Sequence, residues 1–167
     1  MNTHLVIARR GLTALIAGVI AVGSAAARAH DHERDDDDDA GKIVISTPLA
    51  PAAIGPYSQA IRVGKTVYLS GQIAIDPTTN QFMTGASIEE QTQRVLENLA
   101  GVLTAAGLRL EDVVNTTVYL ADLNDFTAMN QVYATFFKNA PPARATLQVA
   151  GIPRNAKVEI SAIAVAP

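Results

Sequence analysis

The sequence predicts a single mixed α+β domain, and three observations predict it. Short runs rich in β-branched residues alternate with two longer stretches whose apolar residues recur every three to four positions. Gly, Pro and Asn-Asp punctuation separates the runs. In chain order the pattern reads β-β-β-α-β-α-β-β, which suits one sheet of about six strands with both helices packed on one face.

Residues 42–46 (Lys-Ile-Val-Ile-Ser) read as a short strand. Pro48, Pro51, Gly55 and Pro56 then break regular structure, so residues 47–57 form an ordered loop. Residues 60–63 and 66–73 are two strands around a Gly64-Lys65 hairpin turn. Asp76-Pro77 and Asn80 mark another turn. Residues 88–106 carry the clearest helical stripe, with Ile88, Val95, Leu99, Val102, Leu103 and Ala106 on one side. Ser87-x-x-Glu90 is a capping box at its start and Gly107 a C-cap at its end. Residues 112–120 form a strand. Asn124 or Asp125 then caps a second helix with Phe126, Met129, Tyr133, Phe136 and Phe137 on its face, and Pro141-Pro142 end it. Residues 145–149 and 157–165 are the last strands, joined through Gly151 and Pro153.

In the last strand Val158, Ile160, Ala162 and Ala164 point one way, and Glu159, Ser161, Ile163 and Val165 the other. Both sets are largely apolar. One covers the helices, so the other is expected to meet another copy of the chain, making a homo-oligomer.

The 167 residues include no cysteine, which removes disulfides, thiolate nucleophiles and Cys-based zinc sites together. Charge divides the chain into three parts. Residues 1–29 have three arginines and no acid, residues 30–40 have seven acids and one arginine, and residues 41–167 balance nine of each. A neutral domain with an acidic leader lacks the basic stripe that nucleic acid requires. Arg9-Arg10, an apolar run from Gly11 to about Val22 and the small residues ending Ala27-Arg28-Ala29 have the order of a signal peptide cleaved after Ala29. The run is short for a membrane span. The arginine pair also fits the twin-arginine route loosely, so Sec and Tat export stay open. The domain is then expected in the periplasm or secreted, with no stable membrane insertion after cleavage. Residues 30–40, from His30 through the Asp35–Asp39 run, are expected to be a disordered acidic linker.

All three histidines, His4, His30 and His32, lie in the leader, so the domain has none. Ser-His-Asp triads, Cys-His dyads and His-based zinc sites are thereby set aside, and no P-loop or G-x-G-x-x-G supports nucleotide binding. Acid-base work falls to Asp, Glu, Tyr, Lys or water. Glu159 stands out as a carboxylate in a strand that should be buried; it is either half of an ion pair or a working group. Arg144 stands out as a cation between Pro141-Pro142-Ala143 and an apolar strand. It can grip a carboxylate with its planar fork, pair with Glu159, or lie on the surface. Tyr57 ends the rigid Gly55-Pro56-Tyr57-Ser58-Gln59 loop, and Ser70-Gly71-Gln72 interrupts a strand with a glycine that lets a backbone approach a ligand.

Together, these segments resemble the RidA (YjgF) family. The resemblance is carried by residues 52–60 (AAIGPYSQA), 69–73 (LSGQI), 90–92 (EQT), 115–120 (NTTVYL), 124–126 (NDF), 142–146 (PARAT) and 158–164 (VEISAIA), in one unbroken order from about Ile43 to Pro167. It implies an α+β, chorismate-mutase-like fold, a homotrimer with ligand clefts between subunits, and hydrolysis of 2-imino acids such as 2-iminobutanoate and 2-iminopropanoate to 2-oxo acids and ammonia. It also implies that Arg144 binds the substrate carboxylate and Glu159 positions or activates water. Tyr57 and Ser70 would line the cleft, Gly71 matches a backbone position near the ligand and Asn130 the family's second-helix asparagine; such a hydrolysis requires no metal or organic cofactor. The chain departs from some members by having Ala145-Thr146 where they have Ser-Cys, leaving Thr146 as the one small polar side chain there. The alternatives on the same fold are a non-catalytic binder of small carboxylates and a holdase-type chaperone. Ribonuclease chemistry, attributed to some relatives, fits poorly with a neutral domain lacking histidine.

Overall fold

The computed structural model describes residues 41–167. The signal peptide and acidic linker expected in residues 1–40 lie outside the described residues.

The domain is a six-stranded sheet with two helices and a small separate hairpin. The strands are β1 (Ile43–Ile45), β2 (Ala60–Val63), β3 (Thr66–Gln72), β6 (Val113–Leu120), β7 (Ala143–Gln148) and β8 (Val158–Val165), in the order β1-β2-β3-β8-β6-β7. All pairings are antiparallel except β6 with β7, which run parallel. That pair is connected through α2 (Phe126–Phe136), as a parallel crossover requires. β4 (Ile75–Asp76) and β5 (Gln81–Phe82) form the small hairpin around the turn expected at Asp76-Pro77 and Asn80. The Asp76 carboxylate accepts from the Thr78 and Thr79 amides, which holds its pKa below the ordinary value, and Asn80 supplies a left-handed residue. Strands of two residues are too short to show alternation in sequence.

α1 (Ile88–Ala105) begins at the expected box: Ser87 Oγ accepts from the Glu90 amide while the Glu90 carboxylate accepts from the Ser87 amide. Gly107, at φ 73°, takes the left-handed turn that ends it. The second helix departs from expectation at its start. Asp125 holds the N-cap position, as expected, but neither it nor Asn124 makes a cap hydrogen bond through its side chain. Instead, Asp122 accepts from the Asn124 amide and opens a single 3₁₀ turn, Leu123–Asp125, that leads into α2.

Residue alternation sorts the sheet into two faces. One cross-strand row runs Ile45, Ala60, Leu69, Ala162, Thr116 and Arg144; its first five members are buried beneath the helices. Val158, Ile160, Ala162 and Ala164 join the same core with Val95, Leu99, Val102 and Leu103 of α1 and Met129 and Tyr133 of α2. Burying each such aliphatic side chain contributes roughly 1.5–3 kcal/mol. A second row, Val44, Ile61, Tyr68, Ile163 and Asn115, crosses the other face, where Tyr68 is 51 % exposed. Among the described residues no helix packs over that row, and none is long and apolar enough to cross a membrane.

Candidate functional site

The open face holds the first group of candidate residues. Along β3 and β8 the pairing shifts: Leu69 faces Ala162, yet Gln72 faces Ile160, so Ser70 and Gly71 together oppose one residue, Ser161. This β-bulge re-aims the strand beside Glu159. Tyr57, Ser70, Gly71 and Glu159, with Ile54, Ile73 and Pro153, line a pocket of about 300 Å³.

Hydrogen bonds from the neighbouring strands hold the loop carrying Tyr57. Gln59, buried just before β2, is bound on both sides of its amide: Oε1 accepts from the Thr47 amide at 2.7 Å, and Nε2 donates to the carbonyls of Thr47, Ala50 and Pro51. Ser70 Oγ donates to the Ser58 carbonyl at 2.6 Å, and its amide donates to the Gln59 carbonyl at 3.0 Å. Ser70 thus reaches the pocket wall as expected, while its hydroxyl serves as a tether for the Tyr57 loop. The Tyr57 hydroxyl accepts from the Ile54 amide at 3.3 Å. Across the pocket, Pro153 leads into Arg154 and Asn155, both left-handed at φ 62° and 53°. Arginine in that conformation carries strain of order 1 kcal/mol, the kind of local cost that gathers at sites.

Glu159 is half-buried and, among the described residues, has neither an ion-pair partner nor a hydrogen bond through its side chain. Burial pushes its carboxyl above the usual carboxylate range. Such a group can take a proton from water near neutral pH more readily than an ordinary glutamate.

The second group lies elsewhere. Arg144 stands on the edge strand β7, in register with buried Thr116 and hence on the helix side, while Glu159, opposite Tyr119, lies on the open side. The ion pair that sequence leaves open between them does not form. Instead, the Arg144 guanidinium lies over the Tyr133 ring at 4.6 Å and near the Phe126 ring at 5.9 Å. Tyr133 is fixed in turn by a 2.7 Å hydrogen bond between its hydroxyl and that of Thr116, and burial raises its pKa. Asn130 falls between Phe126 and Tyr133 on the helical spacing of α2, so it shares their side of the helix. Thr146 follows Arg144 by two residues on β7, and its buried hydroxyl has no partner among the described residues. Arg144, Asn130 and Thr146 therefore make one candidate half-site and Tyr57, Ser70, Gly71 and Glu159 another, with the sheet between them.

Sequence reasoning misses Ile54, Ile73 and Pro153 as pocket lining and Phe126 and Tyr133 as the mount for Arg144. The helical period assigns both aromatics to one apolar face without saying what they pack against. Their spacing of seven on that face is the available signal for a surface that an edge arginine could cover.

Residues 47–166 match the family described as Endoribonuclease L-PSP. A mouse protein named 2-iminobutanoate/2-iminopropanoate deaminase is 54 % identical over 122 residues, spanning 73 % of this chain and 90 % of its own. The crystal structure of RidA from the Antarctic bacterium Psychrobacter sp. matches at 44 % identity and TM-score 0.71, covering 74 % of this chain and 98 % of that one. E. coli TdcF, solved with bound serine, matches at 41 % identity and TM-score 0.71, covering 75 % and 99 %. The sheet order, the two helices on one face and these likenesses agree, and the chain belongs to the RidA (YjgF) family.

Proposed function

We propose that the protein hydrolyses short 2-imino acids, such as 2-iminobutanoate and 2-iminopropanoate, to 2-oxo acids and ammonia. The observation that carries this reading is Glu159: a half-buried carboxylate with no partner among the described residues, raised above its ordinary pKa, in a pocket beside Tyr57 and Ser70. The mouse relative's name supports the substrate class, and the serine bound to TdcF is a small amino acid of similar size.

The substrate carboxylate is forked on Arg144, whose planar donors suit it from two sides. Glu159 holds a water against the imine carbon. As the water oxygen bonds to that carbon, the carboxylate accepts the water proton and then returns it to the nitrogen. In the resulting carbinolamine the carboxylate takes the hydroxyl proton and passes it to the amine, so that the C–N bond breaks, ammonia leaves and the carbonyl forms. Imines hydrolyse unaided in water, so placement of the two reactants contributes most of the effect.

Arg144 and Glu159 lie on different sides of one sheet, so a working cleft takes them from two copies. The uncovered face with Tyr68 and Ile163 supports a homotrimer built on that surface. The leader supports export: residues 1–29 act as a signal peptide and residues 30–40 as an acidic linker, placing the domain in the periplasm or outside the cell.

The test is release of ammonia or 2-oxobutanoate from freshly generated 2-iminobutanoate. Wild type should outpace buffer, and Arg144→Ala should raise KM about tenfold or more. No turnover by wild type, with Arg144-dependent binding of small carboxylates, would make the protein a binder instead.

A further inference from the structure

Gly71 is not required by backbone conformation: it is absent from the left-handed positions, which Gly64, Gly85 and Gly107 occupy among the described glycines. The three atoms that a Cβ there would meet first all belong to the Glu159 side chain. A Cβ built at Gly71 would overlap Glu159 Oε1 and stand 2.8 Å from its Cδ and 3.0 Å from its Cγ. Gly101 is a contrast, because a Cβ there would strike the Leu49 carbonyl, a backbone atom that cannot step aside without moving the loop. At Gly71 the obstruction is the far end of a flexible side chain, which can swing away. What the glycine supplies is therefore room for one carboxylate, laid across β3 at the bulge where two residues face one.

We propose that Gly71 is a positioning residue whose missing side chain seats the Glu159 carboxylate, so that an alanine there would unseat the carboxylate while leaving the fold intact. This rests on the hydrolytic reading above, in which Glu159 places the attacking water. A displacement of about 1 Å at such a group can lower a rate by about 10²-fold. Substrate binding is less affected, because Arg144 grips the carboxylate from the other half-site.

The experiment compares wild type, Gly71→Ala, Glu159→Gln and the double variant. Gly71→Ala is expected to melt within about 2 °C of wild type, to lose about 10²-fold in kcat and to keep KM within about twofold. The double variant should be no slower than Glu159→Gln alone, because both changes remove the same contribution. A crystal structure of Gly71→Ala, which needs no turnover, should show the carboxylate swung off residue 71. An unchanged kcat, additive losses in the double variant, or a carboxylate still lying over residue 71 in that structure would overturn the proposal. Failure of wild type to turn over 2-iminobutanoate sinks the hydrolytic reading separately, and the crystallographic result still decides whether Gly71 seats the carboxylate.

Discussion

At the scale of single residues, Glu159 sets a conflict between stability and chemistry. Burial raises its pKa from the ordinary 4.5, so the folded chain holds the proton more tightly than the unfolded chain. Its contribution to stability is full below about pH 4.5 and is lost as pH rises through the folded-state value. Glu159→Gln removes the buried charge. At pH 7 the variant should melt at or above wild type, with the difference vanishing as pH falls below 4.5. The same change should lower kcat by about 10²–10⁴-fold, the usual range for a general base. In wild type the acid limb of kcat against pH should lie above 4.5, since the proposed mechanism uses the carboxylate form. Thermal melts across pH and a pH–rate profile check both halves. Sequence singles out Glu159 because a carboxylate sits in an apolar, alternating strand. It singles out Arg144 for the mirror-image reason, but alternation within separate strands cannot tell which sheet face each occupies relative to the other. That needs the pairing of β6 with both β7 and β8.

Among the elements, legibility follows length and local chemistry. α1 is readable almost to the residue because its 18 positions are bracketed by a capping box and a left-handed glycine. The hairpin of β2 and β3 is readable because Gly64 provides the turn, at φ 55°. β7 starts two residues earlier than the sequence suggests. Pro142 ends the preceding segment, but the parallel pairing with β6 begins immediately afterwards, at Ala143 with Asn115. Sequence puts the cap of α2 on Asn124 or Asp125, whereas Asp122 acts first because an extra 3₁₀ turn precedes the helix. The cap of α1 offers a test confined to stability. Ser87→Ala leaves the Glu90 amide without its acceptor and should cost about 1 kcal/mol in chemical denaturation. Turnover should be unchanged, because none of the site residues belongs to α1. A drop in kcat would show that α1 reaches the cleft.

For the whole molecule, the proposed assembly makes the uncovered face the condition for a complete cleft. Tyr68 and Ile163 are cross-strand neighbours in the middle of their row, and a monomer would leave that row in water. On the proposed homotrimer, Ile163→Asp places an unpaired charge in the buried centre of an interface. Size exclusion with light scattering should then report monomers with native-like circular dichroism, and imine turnover should disappear with the assembly. A variant that keeps both the oligomeric mass and the rate would place the interface elsewhere.

The separation of Arg144 from Glu159 also has a genetic consequence. In the proposed ring each cleft borrows its arginine from one neighbour and its glutamate from the other, so a chain lacking only one of the two still lends the other intact. Such a chain spoils one cleft of a trimer and leaves two working, and a defective allele is buffered by its partners. Two alleles that are each inactive alone, one without Arg144 and one without Glu159, would rebuild one complete cleft in every trimer that mixes their products.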